Sequence, residues 1–184
     1  QIWSQMGVEF TGHDLVPDMA HDQATGMRLT VRYMTNKPWT RSLRDYGLGR
    51  HGFRDMIAKL TPSLPDDYIW TANNADSSKV EQYLVGRKLP PVSHGLNAYR
   101  NISTAVTLGS FNDDLAHTRF LNDAFQLSDE DLFRSQAGEM AYQMVMRTSL
   151  RVQADMQPVQ AFVPDWRSAE YLANLLPGAR VEQM

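Results

Sequence analysis

Three side chains spaced four residues apart, Gln143, Arg147 and Arg151, form the strongest chemical pattern in this chain. On a continuous helix that spacing stacks one amide and two guanidinium groups on a single stripe. A guanidinium presents a planar fork that clamps phosphate oxygens, so two of them one turn apart suit a polyphosphate. The same stripe would serve as a solvated helix face, since cations are favoured near a helix C-terminus. A second segment, His94-Gly95-Leu96-Asn97-Ala98-Tyr99-Arg100-Asn101-Ile102, brings a glycine, amides, a phenol and a guanidinium directly ahead of an apolar stretch.

Other chemistries find less support. The chain contains no G-x-x-x-x-G-K-[ST] loop, no G-x-G-x-x-G after a strand, no H-E-x-x-H and no G-x-S-x-G elbow. Gly47-Leu48-Gly49 follows a helical stretch and reads as a turn. Asp129-Glu130-Asp131 resembles a magnesium-holding acidic box only superficially, because no apolar strand delivers it. With Ser128 ahead of it, the triplet reads as an acidic first helical turn. His13 and His21 lie among Asp14, Asp18 and Asp22 at spacings that match no ligand pattern, so a solvated loop is expected there and no metal site. A nuclease or phosphatase built on Asp113-Asp114, or on the acidic stretch from Asp14 to Asp22, lacks a second carboxylate at a suitable spacing. With no Cys, thiol chemistry, disulfides and cysteine-held metals are excluded, and a reducing, cytoplasmic setting is expected.

The elements that must position these residues follow from periodicity. Residues 27–34 alternate apolar and polar, the pattern of a half-buried strand. Short helices are expected over 40–46 and 52–60, the second with Phe53, Met56, Ile57 and Leu60 on one face. Residues 68–72 read as a short strand, 77–84 as a helix, 86–91 as a turn and 95–100 as a loop. Residues 104–108 form an apolar run of the kind buried in parallel sheets. Helices over 115–125, 129–150 and 166–176 alternate with strands over 159–163 and 180–182, with Asp165 capping the last helix and Pro177-Gly178 stopping it. Strands alternating with helices predict an α/β layer fold with a mainly parallel sheet.

The chain is 184 residues long with 18 basic and 21 acidic side chains, enough for a single core, and no window in it approaches the roughly 20 apolar residues that a membrane span requires. Fourteen of the basic residues are Arg, which sharpens interest in the arginine pair without making the chain basic. The opening at Gln1 carries neither a positive region nor a long apolar one, so it reads as a piece of a longer protein and not as a signal peptide. Two regions are expected: an irregular extension over 1–26, or the tail of a preceding module, and one α/β domain over 27–184.

Taken as an ordered set, these segments resemble the second, C-terminal RecA-like domain of superfamily 2 DNA and RNA helicases, particularly the DEAD/DEAH-like proteins of phages and mobile elements. Gly95-Leu96-Asn97, followed by the strand after Ile102, is similar to helicase motif V, with Asn97 where the family has Asp. Gln143, Arg147 and Arg151 are similar to motif VI, with the second Arg at i+4 where the family has i+3. The resemblance spans about residues 65–182, with 68–72 a candidate for the motif IV strand.

The resemblance implies a three-layer RecA-like domain, of the P-loop NTPase type but without its own phosphate loop. It implies that ATP, with Mg²⁺ held by a preceding RecA-like domain of the same parent chain, sits between the two domains, and that this chain alone neither binds nor hydrolyses it. Arg147 or Arg151 would be the arginine finger, with Gln143, Gly95 and Asn97 beside the nucleotide. DNA or RNA would lie across the domain, near Asn73, Asn74, Ser93, Tyr99 and Arg100. The alternative is a non-catalytic RecA-like or Rossmann-like scaffold that docks a partner protein through a face including Trp3, Trp39 and Trp166.

Overall fold

Parallel strands cannot be joined by tight turns, so every connection here has to cross the sheet, and the crossings create the layers. The structure, a computed structural model, describes residues 21–49, 52–73, 80–91, 98–110 and 115–184. Within them run, in chain order, α1 Gln23–Met27, β1 Leu29–Thr35, α2 Gly52–Leu60, β2 Ile69–Thr71, β3 Arg87–Lys88, β4 Thr104–Thr107, α3 Leu115–Phe125, α4 Asp129–Phe133, α5 Glu139–Val145, β5 Val159–Asp165, α6 Trp166–Leu175 and β6 Arg180–Gln183. The strands form one sheet in the order β3-β2-β4-β5-β1-β6, and all neighbours are parallel.

Alternation along each strand sorts the core into two layers. Leu29, Val31, Val159, Ala161 and Val163 face Ala141 and Val145 of α5 and Ala169 and Leu172 of α6. Ile69 and Ala105 continue that side toward Met144 and Ile102. On the opposite side Trp70, Val106 and Phe162 meet Ile57 and Leu60 of α2, with Val80 and Leu84. The result is a three-layer α/β/α fold of the RecA-like or Rossmann type. β5 lies between β4 and β1 and is buried along all its length except Gln160, which is half-buried.

Local chemistry sets the boundaries. Ser128 accepts from the Asp131 backbone N–H while the Asp131 carboxylate accepts from the Ser128 N–H, a reciprocal capping box that opens α4 as the sequence predicts. Asp165 ends β5 and caps α6 through the Ser168 N–H. Gly178, at φ +91°, turns the chain out of that helix.

Three differences from the sequence expectation have physical causes. The helix expected over 129–150 is interrupted by a π-helical segment at Arg134–Gly138 and ends at Val145. At Gly138 a Cβ would stand 3.0 Å from the Tyr171 ring, so the extra residue in that turn accompanies a close approach of α5 to α6. β3 was expected as a turn; its two exposed residues carry no alternation, and pairing with β2 alone makes it a strand. Residues 23–26, expected to be irregular, lie in α1, which Asp22 caps by accepting from the Thr25 N–H at 2.8 Å.

Phe162 is fully buried at the centre of the α2 side. Phe162→Ala should therefore lower the unfolding free energy by about 3–5 kcal/mol, read as a fall in the urea midpoint at unchanged slope; a loss well under 1 kcal/mol would show the layer is not packed this way.

Candidate functional site: two edges of a parallel sheet

Because every strand runs the same way, all strand starts share one edge of the sheet and all strand ends share the other. Of the residues singled out by sequence, those that the structure describes near the sheet ends divide between these edges.

At the amino edge, α5 stops and the chain turns sharply. The Arg147 and Thr148 N–H groups donate to the Met144 and Val145 carbonyls at 3.2 and 3.0 Å. Thr148 adopts an extended ψ of −175° and its hydroxyl donates to the Val145 carbonyl at 2.6 Å. Such local bonding by a β-branched hydroxyl residue competes with helix continuation. A single 3₁₀ turn, Ser149–Arg151, follows. The continuous stripe expected of Gln143, Arg147 and Arg151 is thus corrected: only Gln143 lies on the helix, where its amide donates to Glu139 at 3.1 Å. Arg147 is 7% exposed, donates to Met144 Sδ at 3.4 Å, and burial pushes its guanidinium below the usual range while Tyr99 opposes that shift. Arg151 is exposed.

The 3₁₀ turn is tied to the segment before β4. The Ser149 N–H donates to the Ile102 carbonyl at 2.8 Å, and Tyr99 packs against the cluster of Ile102, Ala105 and Met144. Ser149 Oγ is fully buried and has no hydrogen-bond partner among the described residues. Arg28, just ahead of β1, donates to the carbonyls of Ser149 at 2.9 Å, Val152 at 3.0 Å, Gln157 at 3.2 Å and Leu150 at 3.5 Å. Tyr99, Arg147 and Ser149 therefore meet at one edge, and Arg100 is exposed beside them. Ser93, Gly95 and Asn97 lie outside the described residues, as do Asn74, Trp3, Asp113 and the acidic stretch from Asp14 to Ala20.

At the carboxyl edge the connections diverge. After β1 the chain passes to the α2 side; after the adjacent β5 it passes to the α6 side. Such a switch leaves a crevice beyond the strand ends, the usual ligand position in open α/β sheets. Here it measures about 610 Å³ and is lined by Trp39, Thr40, Arg41, Ser42, Ser110 and Arg167, among others. Asp165 builds its floor: one oxygen accepts from the Trp39 N–H at 2.6 Å, the other from Ser168 N–H and Oγ at 3.0 and 2.7 Å. With those bonds made, this buried carboxylate serves as a structural clamp.

No family model matches this chain, and neither a curated protein nor a solved structure is significantly similar to it.

Two cations line the crevice. Arg41 is exposed in the helical turn that follows β1. Arg167 stacks over the Phe133 ring at 4.2 Å and donates to Glu130 at 2.9 Å. Arg134 and Arg167 hold the Glu130 carboxyl below its ordinary range, so the acid is ionised and keeps Arg167 in place. Asn73 belongs to this edge: its amide donates to the Ser110 carbonyl at 3.1 Å and accepts from the Ser110 N–H at 2.6 Å, fastening β2's exit to β4's. Asn73 thus stands apart from Tyr99 and Arg100, with which it was grouped. Among the described residues no cluster of three His, Asp or Glu could hold a metal ion; His21 instead shares a 2.7 Å hydrogen bond with the Tyr142 hydroxyl.

Sequence reasoning missed Thr40, Arg41, Ser42, Ser110 and Arg167, and singled out Trp39 only for a docking face. The available signal was positional, since each follows a strand end, but the pairing of β5 with β1 was needed to make them neighbours. The aromatic face imagined for a scaffold is also corrected: Trp39 is buried and its indole N–H donates to the Leu108 carbonyl at 3.2 Å, while Trp166 is 39% exposed.

Asp165→Ala removes a carboxylate that accepts from the Trp39 and Ser168 N–H groups inside the protein. It should cost about 2–4 kcal/mol in a denaturant titration and shift the Trp emission, whereas a near-neutral effect would remove Asp165 from the clamp role.

Proposed function

We propose that this chain is the C-terminal motor domain of an ATP-dependent nucleic-acid helicase or translocase. Its amino edge faces a nucleotide held by a preceding RecA-like domain, and its carboxyl-edge crevice takes the backbone of DNA or RNA. The observation that carries this reading is the junction of two segments chosen from sequence: the stretch ending at Ile102 and the stretch ending at Arg151 meet through the Ser149 to Ile102 hydrogen bond, with Arg147 beside Tyr99. They are 49 residues apart at those end points, and only the adjacency of β4 and β5 joins them.

The donor set at that edge fits a shared nucleotide and not a private one. It offers an exposed guanidinium and, in sequence, no glycine-rich loop to cradle the remaining phosphates. Of the two arginines, Arg151 is the finger, since it is exposed and ends a tethered turn, whereas Arg147 is buried. Bound ATP would supply the cleavable phosphoanhydride. The residues of this chain would place positive charge where the transferred phosphoryl group develops negative charge. At the other edge, Arg41 and Arg167 supply cations for backbone phosphates, and Thr40 and Ser42 supply hydroxyl donors.

In the complete protein, Arg151→Ala should lower the kcat of nucleic-acid-stimulated ATP hydrolysis by about a thousandfold or more, with the thermal midpoint and single-strand affinity retained. An unchanged kcat would overturn the motor reading.

A further inference from the structure

We propose that Arg28 is the positioning residue of the arginine edge, and that its guanidinium sets where Arg151 is presented; this rests on the motor reading above. Arg28 is only 8% exposed, and the direct observation is its set of acceptors. Its side chain donates to the carbonyls of Ser149, Val152 and Gln157 at 2.9 to 3.2 Å, with Leu150 at the longer 3.5 Å. All four belong to the stretch that leaves α5, carries Arg151 and enters β5.

The chemistry suits that role. A 3₁₀ turn of three residues has few bonds of its own, here the Val152 N–H to the Ser149 carbonyl at 3.0 Å. The guanidinium carries five N–H donors in a fixed plane, so one side chain can collect several carbonyls in a defined arrangement. A lysine would keep the charge at one point and lose the fork. Arg28 itself is anchored from both sides. Its N–H donates to the Thr25 carbonyl at 3.3 Å, and its carbonyl accepts from the Val159 N–H at 2.8 Å, the first rung between β1 and β5. The turn is thereby referenced to the central strands. Its other tether, Ser149 N–H to Ile102, references it to β4.

Arg28 stands in the sequence about 120 residues ahead of the turn it organises, the Ser149 bond spanning 121 positions. Among the described residues its side-chain hydrogen bonds go to backbone carbonyls and not to Arg147 or Arg151, so its influence on a phosphate would pass through backbone position. A displacement of about 1 Å in a catalytic group can cost on the order of a hundredfold in rate.

The test uses Arg28→Lys in the complete protein, with two readouts. Hydrogen exchange of the amides at 149–153 should quicken by about tenfold while those of Ala161, Phe162 and Val163 stay protected. The kcat for nucleic-acid-stimulated ATP hydrolysis should fall on the order of tenfold to a hundredfold, KM for ATP changing little, and this loss should vanish when Arg28→Lys is added to Arg151→Ala. Unchanged exchange, a wild-type kcat, or a loss that adds undiminished to that of Arg151→Ala would each overturn the positioning role. An inert Arg151→Ala would instead overturn the motor reading, which separates the two failures. If Arg28→Lys does not fold, Val152→Gly slackens the same turn with Arg28 in place. It should give the same Arg151-dependent loss, and a wild-type kcat there would overturn the proposal.

Discussion

The parallel pairing of β5 with both β1 and β4 is the constraint on which the rest of the molecule depends. A strand bonded on both sides and covered on both faces has to be apolar almost throughout, and Val159, Ala161, Phe162 and Val163 meet that demand. Such a strand also fixes its two ends. At its start, the Gln160 N–H donates to the Ser103 carbonyl and the Val159 N–H to that of Arg28. At its finish, Asp165 holds the Trp39 loop and caps α6. One strand thereby locates both candidate edges, about seven residues apart along its length.

The two edges are built differently. The amino edge is dense with polar groups taken out of water: Arg28, Arg147, Thr148 and Ser149 are all buried. Burying a guanidinium is costly unless its donors are met, and Arg28 meets them with carbonyls, which cannot be titrated away. Ser149 Oγ has no such compensation among the described residues, and an orphaned hydroxyl typically costs a folded protein about 1–3 kcal/mol. That hydroxyl belongs to the turn that carries Arg151.

The carboxyl edge is open, and its order comes from a few clamps. Asp165 fixes the loop after β1, Asn73 fastens the exits of β2 and β4, and Glu130 restrains Arg167 over Phe133. Arg41, Thr40 and Ser42 extend beyond these clamps into solvent. An extended polyanion needs a row of exposed donors on a firm base, whereas a nucleotide shared between domains needs one well-aimed cation. Under the proposed motor reading, the open edge would meet the first demand and the buried edge the second.

The sequence by itself determined the layers. Alternation placed β1, continuous apolar runs placed β2, β4 and β5, and capping chemistry at Ser128 and Asp165 placed the starts of α4 and α6, because these signals are local and act within a few residues. It also marked residues 143–151 and 94–102 as belonging together. What only the tertiary structure decided was the reach of each side chain. Helix spacing put Arg147 and Arg151 on one stripe, but the Thr148 hydroxyl and the pull of the Ile102 carbonyl ended the helix and sent one arginine inward and the other out. Arg28, Arg41 and Arg167 carry no motif, so nothing local distinguishes them from the chain's other arginines. Their partners lie across the sheet, and strand order, settled by long-range burial and not by any short stretch of sequence, is what brings them there.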